Sequence, residues 1–288
     1  TVNPKRVPIS VIVCAKNEEE NVKKFVPLLA EQDYHTFEIV LIDDASSDNT
    51  LEIFEEFEKQ YPNIKLVKVE NNEAFWGNKK FALTLGIKAA KYEYLLFTDA
   101  DCYPTSKDWI TSMSAQFTQQ KNIVLGYGAY EKISNSFLNK IIRFETLLTA
   151  TQYFSWAKIG KPYMGIGRNM AYKREEFFKV RGFMDHMKIR SGDDDLFINQ
   201  AANGDNTTIC YVPDSFTYST PKTRFKDWFT QKRRHVSTAK HYKLFDRNQL
   251  GLFYVSQLLF LLLPIVLLAF QYQWIAVVSI IGFRYLFA

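Results

Sequence analysis

Residues 92–102 read YEYLLFTDADC, an apolar run that ends in two carboxylates separated by a single residue. Two other runs follow a similar plan. VPISVIVCA at residues 7–15 is a continuous β-branched run, and FEIVLIDDAS at residues 37–46 ends in Asp43 and Asp44. Continuous apolar runs of this length are typical of strands buried on both faces of a parallel sheet. The three runs therefore predict the central strands of such a sheet.

Helix-like segments separate these strands and complete an alternating pattern. We predict one further strand and three helices, at IKLVKVE (64–70), ENVKKFVPLLAEQ (20–32), TLEIFEEFEKQ (50–60) and NKKFALTLGIKAA (78–90). Strands that alternate with helices form a doubly wound, mostly parallel α/β sheet. Such sheets bind ligands at the carboxyl ends of their strands, where the acidic clusters of this chain lie.

The acidic pairs are candidates for binding a metal and a nucleotide. Asp99 and Asp101 can hold one hard cation, and Mg²⁺ or Mn²⁺ suits oxygen ligands together with a substrate diphosphate. Asp43 and Asp44 can accept hydrogen bonds from a base or a ribose. Each pair also has a purely structural interpretation: a solvated acidic turn for the first, and a helix cap with nothing bound for the second.

Two helix starts carry further charged candidates. Lys79 is suited to hold a diphosphate, whereas we interpret Lys80 as a solvated helix end. SGDDDL at residues 191–196 places three acids before an amphipathic helix. Repulsion among adjacent carboxylates raises at least one pKa, which suits a general base. Acids in a first helical turn are also ordinary complements to the helix dipole.

The C-terminal part of the chain predicts membrane spans. Residues 252–270 read LFYVSQLLFLLLPIVLLAF, an uncharged run long enough to cross a hydrocarbon core. A second apolar segment begins at about Trp274, and we expect the two to form a hairpin. Many lysines and arginines lie between residues 222 and 247, and none lies between the spans. The positive-inside bias therefore predicts a cytoplasmic catalytic domain in a multi-pass protein of the inner (plasma) membrane.

These features predict three parts of the chain. Residues 1–220 form a cytoplasmic catalytic domain, 221–250 a basic amphipathic segment at the membrane interface, and 251–288 transmembrane helices, the second of them truncated. The chain lacks a starting Met and stops inside an apolar run, so we expect it to be a fragment of a longer protein. Its net charge of +5 is modest, and its aromatic share of 16% points to contact with carbohydrate or membrane.

Other classes of protein fit the composition poorly. Three widely spaced cysteines without a CxxC motif argue against a zinc site or a disulfide framework. The basic stretch before the first span lacks a nucleic-acid recognition motif, which argues against a nucleic-acid partner.

Taken in order, these motifs resemble the inverting glycosyltransferases of family 2, which have the GT-A fold. They resemble in particular the membrane-bound branch with the cellulose, chitin and hyaluronan synthases. The resemblance covers most of residues 7–250. It rests on VPISVIVCAKNEE (7–19), IDDASSDNT (42–50), KKFALTLGI (79–87), DAD (99–101), GIGRNMAYKREEFFKVRGF (165–183), SGDDDL (191–196) and QKRRH (231–235).

The resemblance implies a nucleotide-sugar donor, with a UDP-sugar as the family's usual one, and a divalent metal, Mg²⁺ or Mn²⁺. The donor would be bound by Ala15, Asn17, Glu18, Asp43, Asp44, Lys79, Asp99, Gln231 and Arg234. The metal would be held by Asp99 and Asp101. Arg234 would help to neutralise the departing diphosphate. The acceptor, a lipid-linked sugar or a polysaccharide, would lie near Gly167 and His235.

The resemblance also implies a catalytic base. Counting back from Leu196 and Gly204 aligns the base with Asp193, and Asp194 is the alternative. We expect the neighbouring acids to raise the pKa of Asp193, which suits proton abstraction near neutral pH.

Two positions depart from the family pattern. Gly192 stands where the family has a glutamate, and His235 replaces the tryptophan that stacks on the acceptor sugar in the synthases. The second change argues against processive synthesis, so transfer of a single sugar to a lipid-linked acceptor stands beside polysaccharide synthesis as an expectation. The alternative from another class is a catalytically inactive membrane scaffold. The intact DAD motif, the acidic base candidates and Arg234 argue against such decay.

Overall fold

The computed structural model describes residues 7–70, 79–189 and 191–287. The chain divides into two units, Thr1–His241 and Tyr242–Ala288. In the described part of the first unit, the strands are β1 Ile9–Ala15, β2 Phe37–Asp43, β3 Ile64–Lys68, β4 Tyr94–Asp99, β5 Cys102–Pro104, β6 Ile123–Leu125, β7 Gly128–Tyr130, β8 Met170–Lys173, β9 Thr207–Ile209 and β10 Thr217–Ser219. Its α-helices are α1 Glu19–Ala30, α2 Thr50–Gln60, α3 Lys79–Ala89, α4 Trp109–Ser114, α5 Phe137–Lys158, α6 Arg174–Lys179, α7 Asp195–Ala201 and α8 Phe225–Val236.

The main sheet runs in the order β3-β2-β1-β4-β8-β6-β9 among the described strands. Strands β1 to β4 pair in parallel, β8 is antiparallel to both of its neighbours, and β6 pairs in parallel with β9. A smaller sheet has the strand order β5-β10-β7. The chain passes from the main sheet into it directly, since only two residues separate the end of β4 from the start of β5. The predicted α/β fold with a mostly parallel sheet is confirmed.

The register of the sheet brings the acidic strand ends level with one another. Cys14 of β1 lies opposite Ile42 on one side and Asp99 on the other, and Ala15 lies opposite Asp43. The carboxyl ends of three strands that are distant in sequence therefore meet at one edge. This is the edge at which the sequence predicted the site.

Helix α3 packs unusually close to this sheet. A Cβ atom on Gly86 would lie 2.1 Å from Cδ1 of Ile42, so no larger residue fits unless the Ile42 side chain, the helix or the strand moves. The close approach fixes α3 against β2. Lys79 and Lys80 in the first turn of α3 are consequently held at a fixed place relative to the strands.

The second unit contains two apolar helices, α9 Leu244–Ala269 and α10 Trp274–Phe287. Among the described helices, α9 alone is long and apolar enough to cross a membrane, with a mean hydropathy of 2.4. It begins eight residues before the predicted start at Leu252. The predicted second span corresponds to the shorter α10, whose Arg284 side chain donates a hydrogen bond to Gln257 of α9.

Candidate active site

The loops after β1 and β2 form one connected structure at the strand ends. Asn17 has a left-handed backbone with φ of +56°, and its side-chain oxygen accepts a hydrogen bond of 2.7 Å from the Ser47 backbone N–H. The Asn17 N–H in turn donates to Ser46 Oγ at 3.0 Å, and the Glu18 N–H donates to Thr50 Oγ1 at 2.9 Å. Asn17 and Glu18, two of the residues predicted to bind a nucleotide, are therefore joined by hydrogen bonds to the loop after β2.

The acids of this edge are held by backbone groups and partly buried. The Asp44 N–H donates to the Ala15 carbonyl at 2.9 Å, and the Asp43 carboxylate accepts from the Ser46 N–H at 3.3 Å. Burial raises the pKa of Asp44, and burial likewise raises the pKa of Glu18. Carboxylates that lose solvent in this way favour a hydrogen-bond donor or a cation as a ligand.

Asp99, Asp101 and Cys102 have ligand atoms that all lie within 4.8 Å of one another. Burial, followed by the charge of Asp99, raises the pKa of Asp101. Burial also raises the pKa of the Cys102 thiol well above its usual value, so this sulfur remains protonated. The group therefore offers two oxygen ligands, and it fits a hard divalent cation better than a soft one.

Lys79 connects the metal candidates to the predicted base. Its ammonium lies 2.7 Å from Asp99 Oδ1 and 3.1 Å from Asp193 Oδ2. The Asp193 side chain is only 16% exposed. The structure thus brings three of the predicted residues together, although 114 positions separate Lys79 from Asp193 in the chain.

Asp193 and Asp194 have pKa values shifted in opposite directions, and the prediction of a raised pKa for Asp193 was wrong. Burial alone would raise that pKa, but Lys79 outweighs burial and lowers it. Asp194 instead has its pKa raised to about 7 by burial and by the charges of Asp193 and Asp195. Asp193 is therefore the carboxylate that remains ionised below neutral pH.

The remaining acids anchor the start of α7. Asp194 accepts hydrogen bonds of 2.8 Å from the backbone N–H groups of Gly167 and Asp195. Asp195 accepts from Leu196 N–H and from the buried Thr238 hydroxyl. Both oxygens of Asp194 are thus already engaged by backbone donors, while Asp193 faces Lys79.

The interpretation of Lys80 as a solvated helix end was also wrong. Its side chain is 1% exposed. The ammonium donates to the backbone carbonyls of His186 at 2.9 Å, Ile189 at 2.8 Å and Ser191 at 2.7 Å. Helix periodicity does not reveal this position, because its acceptors come from a segment more than 100 residues away.

The backbone conformation at Gly192 explains why a glycine stands where the family has a glutamate. Its φ of +88° lies in the region that only glycine adopts without strain. A Cβ atom there would also lie 2.5 Å from Cδ1 of Leu196. The segment before Asp193 therefore follows a path in this protein that excludes a glutamate at position 192.

Helix α8 carries the predicted site residues Gln231, Arg234 and His235, and the structure ties them to the rest of the site less directly. Gln231 Nε2 lies 3.5 Å from the Tyr130 hydroxyl, and the Arg168 guanidinium stacks on the Tyr130 ring at 4.4 Å. Arg234 and His235 are exposed. The structure does not bring Arg234 into an ion pair with any acid of the described segments, so its predicted contact with a diphosphate stays a prediction.

Sequence reasoning missed Arg168 as a contributor to this region. Its guanidinium donates to Ser219 Oγ at 2.9 Å and to the carbonyls of Gly128 and Ala129. It thereby joins the smaller sheet to the loop before β8. Arg168 lies inside the GIGRNMAYK stretch that carries part of the resemblance. Its place in that motif was the one sequence feature that could have marked it as a site residue.

A pocket lies beside Lys79, Asp99 and Asp193. Its lining includes the strand-end, α3 and pre-α7 residues discussed above, together with buried aromatic residues: Ile12, Cys14, Lys79, Leu83, Phe97, Thr98, Asp99, Gly167, Met170, Tyr172, Phe183 and Asp193. The hydroxyls of Thr98 and Tyr172 are buried without a hydrogen-bond partner among the described residues. The pocket therefore combines apolar walls with a few polar groups, and it is narrow, with room for about one water molecule.

Comparison with known proteins identifies the family. The model of glycosyl transferase family 2 matches residues 10–195, which include the strand ends, the DAD motif and the three acids Asp193, Asp194 and Asp195. The chain belongs to this family.

Individual relatives match only part of their own length. The poly-beta-1,6-N-acetyl-D-glucosamine synthase of Staphylococcus epidermidis is 41% identical over 32% of this chain and 21% of that protein. The probable glycosyltransferase YdaM of Bacillus subtilis is 27% identical over 81% of this chain and 55% of its own length. The chain thus spans from about a fifth to about half of these curated relatives.

Solved structures share the fold. The mannosyltransferase PcManGT of Pyrobaculum calidifontis, in complex with GDP-Man and Mn²⁺, superposes with a TM-score of 0.61 at 21% identity, covering 81% of this chain and 63% of that one. Residues 1–349 of Staphylococcus aureus TarS give a TM-score of 0.54 at 22% identity, covering 74% and 60%. The fold is that of these glycosyltransferases, as the GT-A expectation required.

The raised pKa of Asp194 predicts a specific pH dependence of stability. The folded protein favours the neutral carboxyl, so the stability that this group contributes is complete below its ordinary pKa of 3.8 and is lost as pH rises through about 7. Replacement of Asp194 by Asn should therefore flatten the fall of Tm between about pH 4 and pH 7, by a few degrees across that range. Thermal melts at several pH values measure this slope.

The exposed Asp214 provides the matched control. Asp214→Asn should leave the slope of Tm against pH as it is in the unmodified protein. An unchanged slope in Asp194→Asn would show that Asp194 is not the group with the raised pKa.

Proposed function

We propose that this chain is a membrane-anchored inverting glycosyltransferase that moves a sugar from a nucleotide-sugar donor, most simply a UDP-sugar, to a lipid-linked or polysaccharide acceptor. The observation that carries the proposal is the position of Lys79 between Asp99 and Asp193. It sets an ionised carboxylate beside a pair of candidate metal ligands at the edge where α/β sheets bind ligands.

The donor side consists of the strand-end loops. Asn17, Glu18, Asp43 and Asp44 form the connected edge that would receive the nucleoside. Two solved structures of similar fold support a nucleotide-sugar donor, since TarS was solved with UDP-GlcNAc and PcManGT with GDP-Man. Both are only 21% identical to this chain, so the nucleobase and the sugar of its donor are to be determined by experiment.

The metal would be held by Asp99 and Asp101. A divalent cation bound there, Mg²⁺ or Mn²⁺, would neutralise charge on the diphosphate leaving group. The raised pKa of Asp101 supports this assignment, because two crowded carboxylates favour a cation between them. Lys79, which already contacts Asp99, would add a second positive charge close to the same group.

The acceptor side is organised around Asp193. Its low pKa keeps the carboxylate ionised at neutral pH but makes it a weaker proton acceptor than Asp194. The choice of Asp193 therefore rests on its position, since it lines the pocket beside Lys79 and neither of its oxygens is bound by the backbone donors that hold Asp194. As the acceptor hydroxyl oxygen bonds to the anomeric carbon, the bond from that carbon to the diphosphate breaks and the hydroxyl proton passes to Asp193. Attack from the side opposite the leaving group inverts the anomeric centre. Gly167, next to Asp194, and His235 on α8 would border the acceptor.

Membrane attachment is supported by α9 and by two helices of the first unit. On α8, Phe225, Phe229 and Val236 are exposed and recur at a spacing that places them along one face. On α5, Phe137 and Phe144 are 71% and 68% exposed. Apolar side chains that lie among lysines and arginines are typical of a helix at the surface of an anionic bilayer.

The first test of the proposal is turnover of donor sugars by the purified protein. Nucleotide-sugars offered with a membrane lipid extract should yield free nucleoside diphosphate and a glycosylated product in the presence of Mg²⁺ or Mn²⁺. Excess chelator should reduce the rate to background, because the diphosphate would lose its counter-charge. Full turnover in chelator would contradict the metal site, and failure of every donor would favour the inactive scaffold.

A second test identifies the base. Replacing Asp193 by Asn should lower kcat by about two to four orders of magnitude, the usual contribution of a general base. Donor affinity should change little, because the base contacts the acceptor. Asp194→Asn is the matched control and should retain most of the activity. The opposite ranking of the two variants would move the base to Asp194, and activity in both would remove the assignment.

A third test addresses the membrane. In the full chain reconstituted into liposomes, with the native cysteines replaced, a polarity-sensitive dye at Phe229→Cys or Phe144→Cys should report an apolar environment. The same dye at Lys59→Cys, an exposed position of α2 beside the opposite edge strand β3, should report water. Aqueous spectra at all three positions would contradict membrane contact by α5 and α8.

A further inference from the structure

We propose that Lys80 is a positioning residue that sets the place of Asp193 by gripping the backbone immediately before it. This inference rests on the proposed role of Asp193 as the base. It assigns a function to a second lysine that none of the motifs of the resemblance requires.

The surroundings of Lys80 match an ammonium group closely. An ammonium has three N–H donors and no acceptor, and Lys80 directs three hydrogen bonds of 2.7–2.9 Å to three backbone carbonyls. Its side chain is 1% exposed. Burial of a cation is costly unless its donors are satisfied, so this arrangement depends on the three carbonyls remaining where they are.

The three carbonyls belong to the segment that leads to the base. His186 ends a short 3-10 turn, and Ser191 lies two residues before Asp193. Without a cation, three carbonyl oxygens turned to one point would repel one another. Lys80 therefore holds this segment in a path that the backbone would not keep alone.

Two adjacent lysines consequently hold the same segment in different ways. Lys79 contacts the Asp193 carboxylate, and Lys80 contacts the backbone that carries it. Both belong to the first turn of α3, whose close packing at Gly86 fixes the helix to the sheet. The distance from Asp193 to the strand-end acids is thus determined by one rigid helix.

Other contacts hold the start of this segment and the residues after the base. The buried His186 ring packs against Phe183 at its start. Gly167 holds Asp194 and Thr238 holds Asp195, so both act on residues after the base. Loss of Lys80 should release the stretch before Asp193 while the start of α7 stays in place. A displacement of about 1 Å at a reacting group is enough to lower a rate about 100-fold.

The experiment compares Lys80→Met with Lys88→Met, which removes an exposed lysine from the same helix. Lys80→Met should lower kcat by about 10- to 100-fold, with donor Kd changed less than about threefold, since the donor is bound at the strand ends. Lys88→Met should stay within about twofold in both. Isothermal titration with nucleoside diphosphate and Mn²⁺ gives the affinity, and it also reports whether the variant is folded.

A double-mutant cycle separates positioning from general destabilisation. If Lys80 acts through Asp193, then adding Lys80→Met to Asp193→Asn should cause little further loss of kcat. A multiplicative loss, or unchanged kcat in Lys80→Met, would overturn the inference. Near-normal activity of Asp193→Asn alone would instead overturn the proposed base.

Lys80→Arg covers the case in which the methionine variant does not fold. Its guanidinium keeps the charge, but it is larger and its donors lie in one plane, so it can meet the three carbonyls only if the segment before Asp193 shifts. It should lower kcat at least about tenfold with donor Kd preserved. Retention of full activity by Lys80→Arg would contradict a geometric role.

Discussion

The ion pairs of Lys79 with Asp99 and Asp193 are the interactions on which the site depends. The parallel sheet collects carboxylates at one edge, because β2 and β4 both end in acids, and Asp193–Asp195 at the start of α7 add three more. Such crowding is unfavourable unless a cation lies among them. Lys79 supplies that cation, and it joins the donor side of the pocket to the acceptor side.

The same cation gives neighbouring carboxylates different properties. Asp193 lies against Lys79 and has a low pKa, whereas Asp194, one residue further on, has a pKa of about 7. Asp195 is turned toward the α7 backbone and Thr238. Asp193 faces the pocket, whereas Asp194 and Asp195 anchor the start of α7. A carboxylate on such a fixed support is suited to the proposed role of base.

Much of the sheet was predictable from sequence, since continuous apolar runs mark buried strands and strand ends mark the site. The helix at residues 50–60 was predicted with its observed bounds. The roles of the lysines and of the three acids were not predictable in the same way. Whether Lys80 meets solvent or three carbonyls, and whether Asp193 meets a lysine or only other acids, is decided by segments far away in the chain.

Departures from the family pattern gain a physical meaning from the structure. Position 192 requires a left-handed backbone, so the glutamate of the family does not fit there. Lys80 holds the backbone on the same side of the base. In the proposed mechanism, the path of the segment before Asp193, rather than a glutamate side chain, would position the base.

The most direct measurement of the central claim is Mn²⁺ binding followed by electron paramagnetic resonance, with and without a nucleoside diphosphate. The account predicts one Mn²⁺ per chain whose affinity rises when the diphosphate is added, and loss of this signal in Asp101→Asn but not in Asp214→Asn. Equal binding of the diphosphate without Mn²⁺, or an unchanged Mn²⁺ signal in Asp101→Asn, would contradict it.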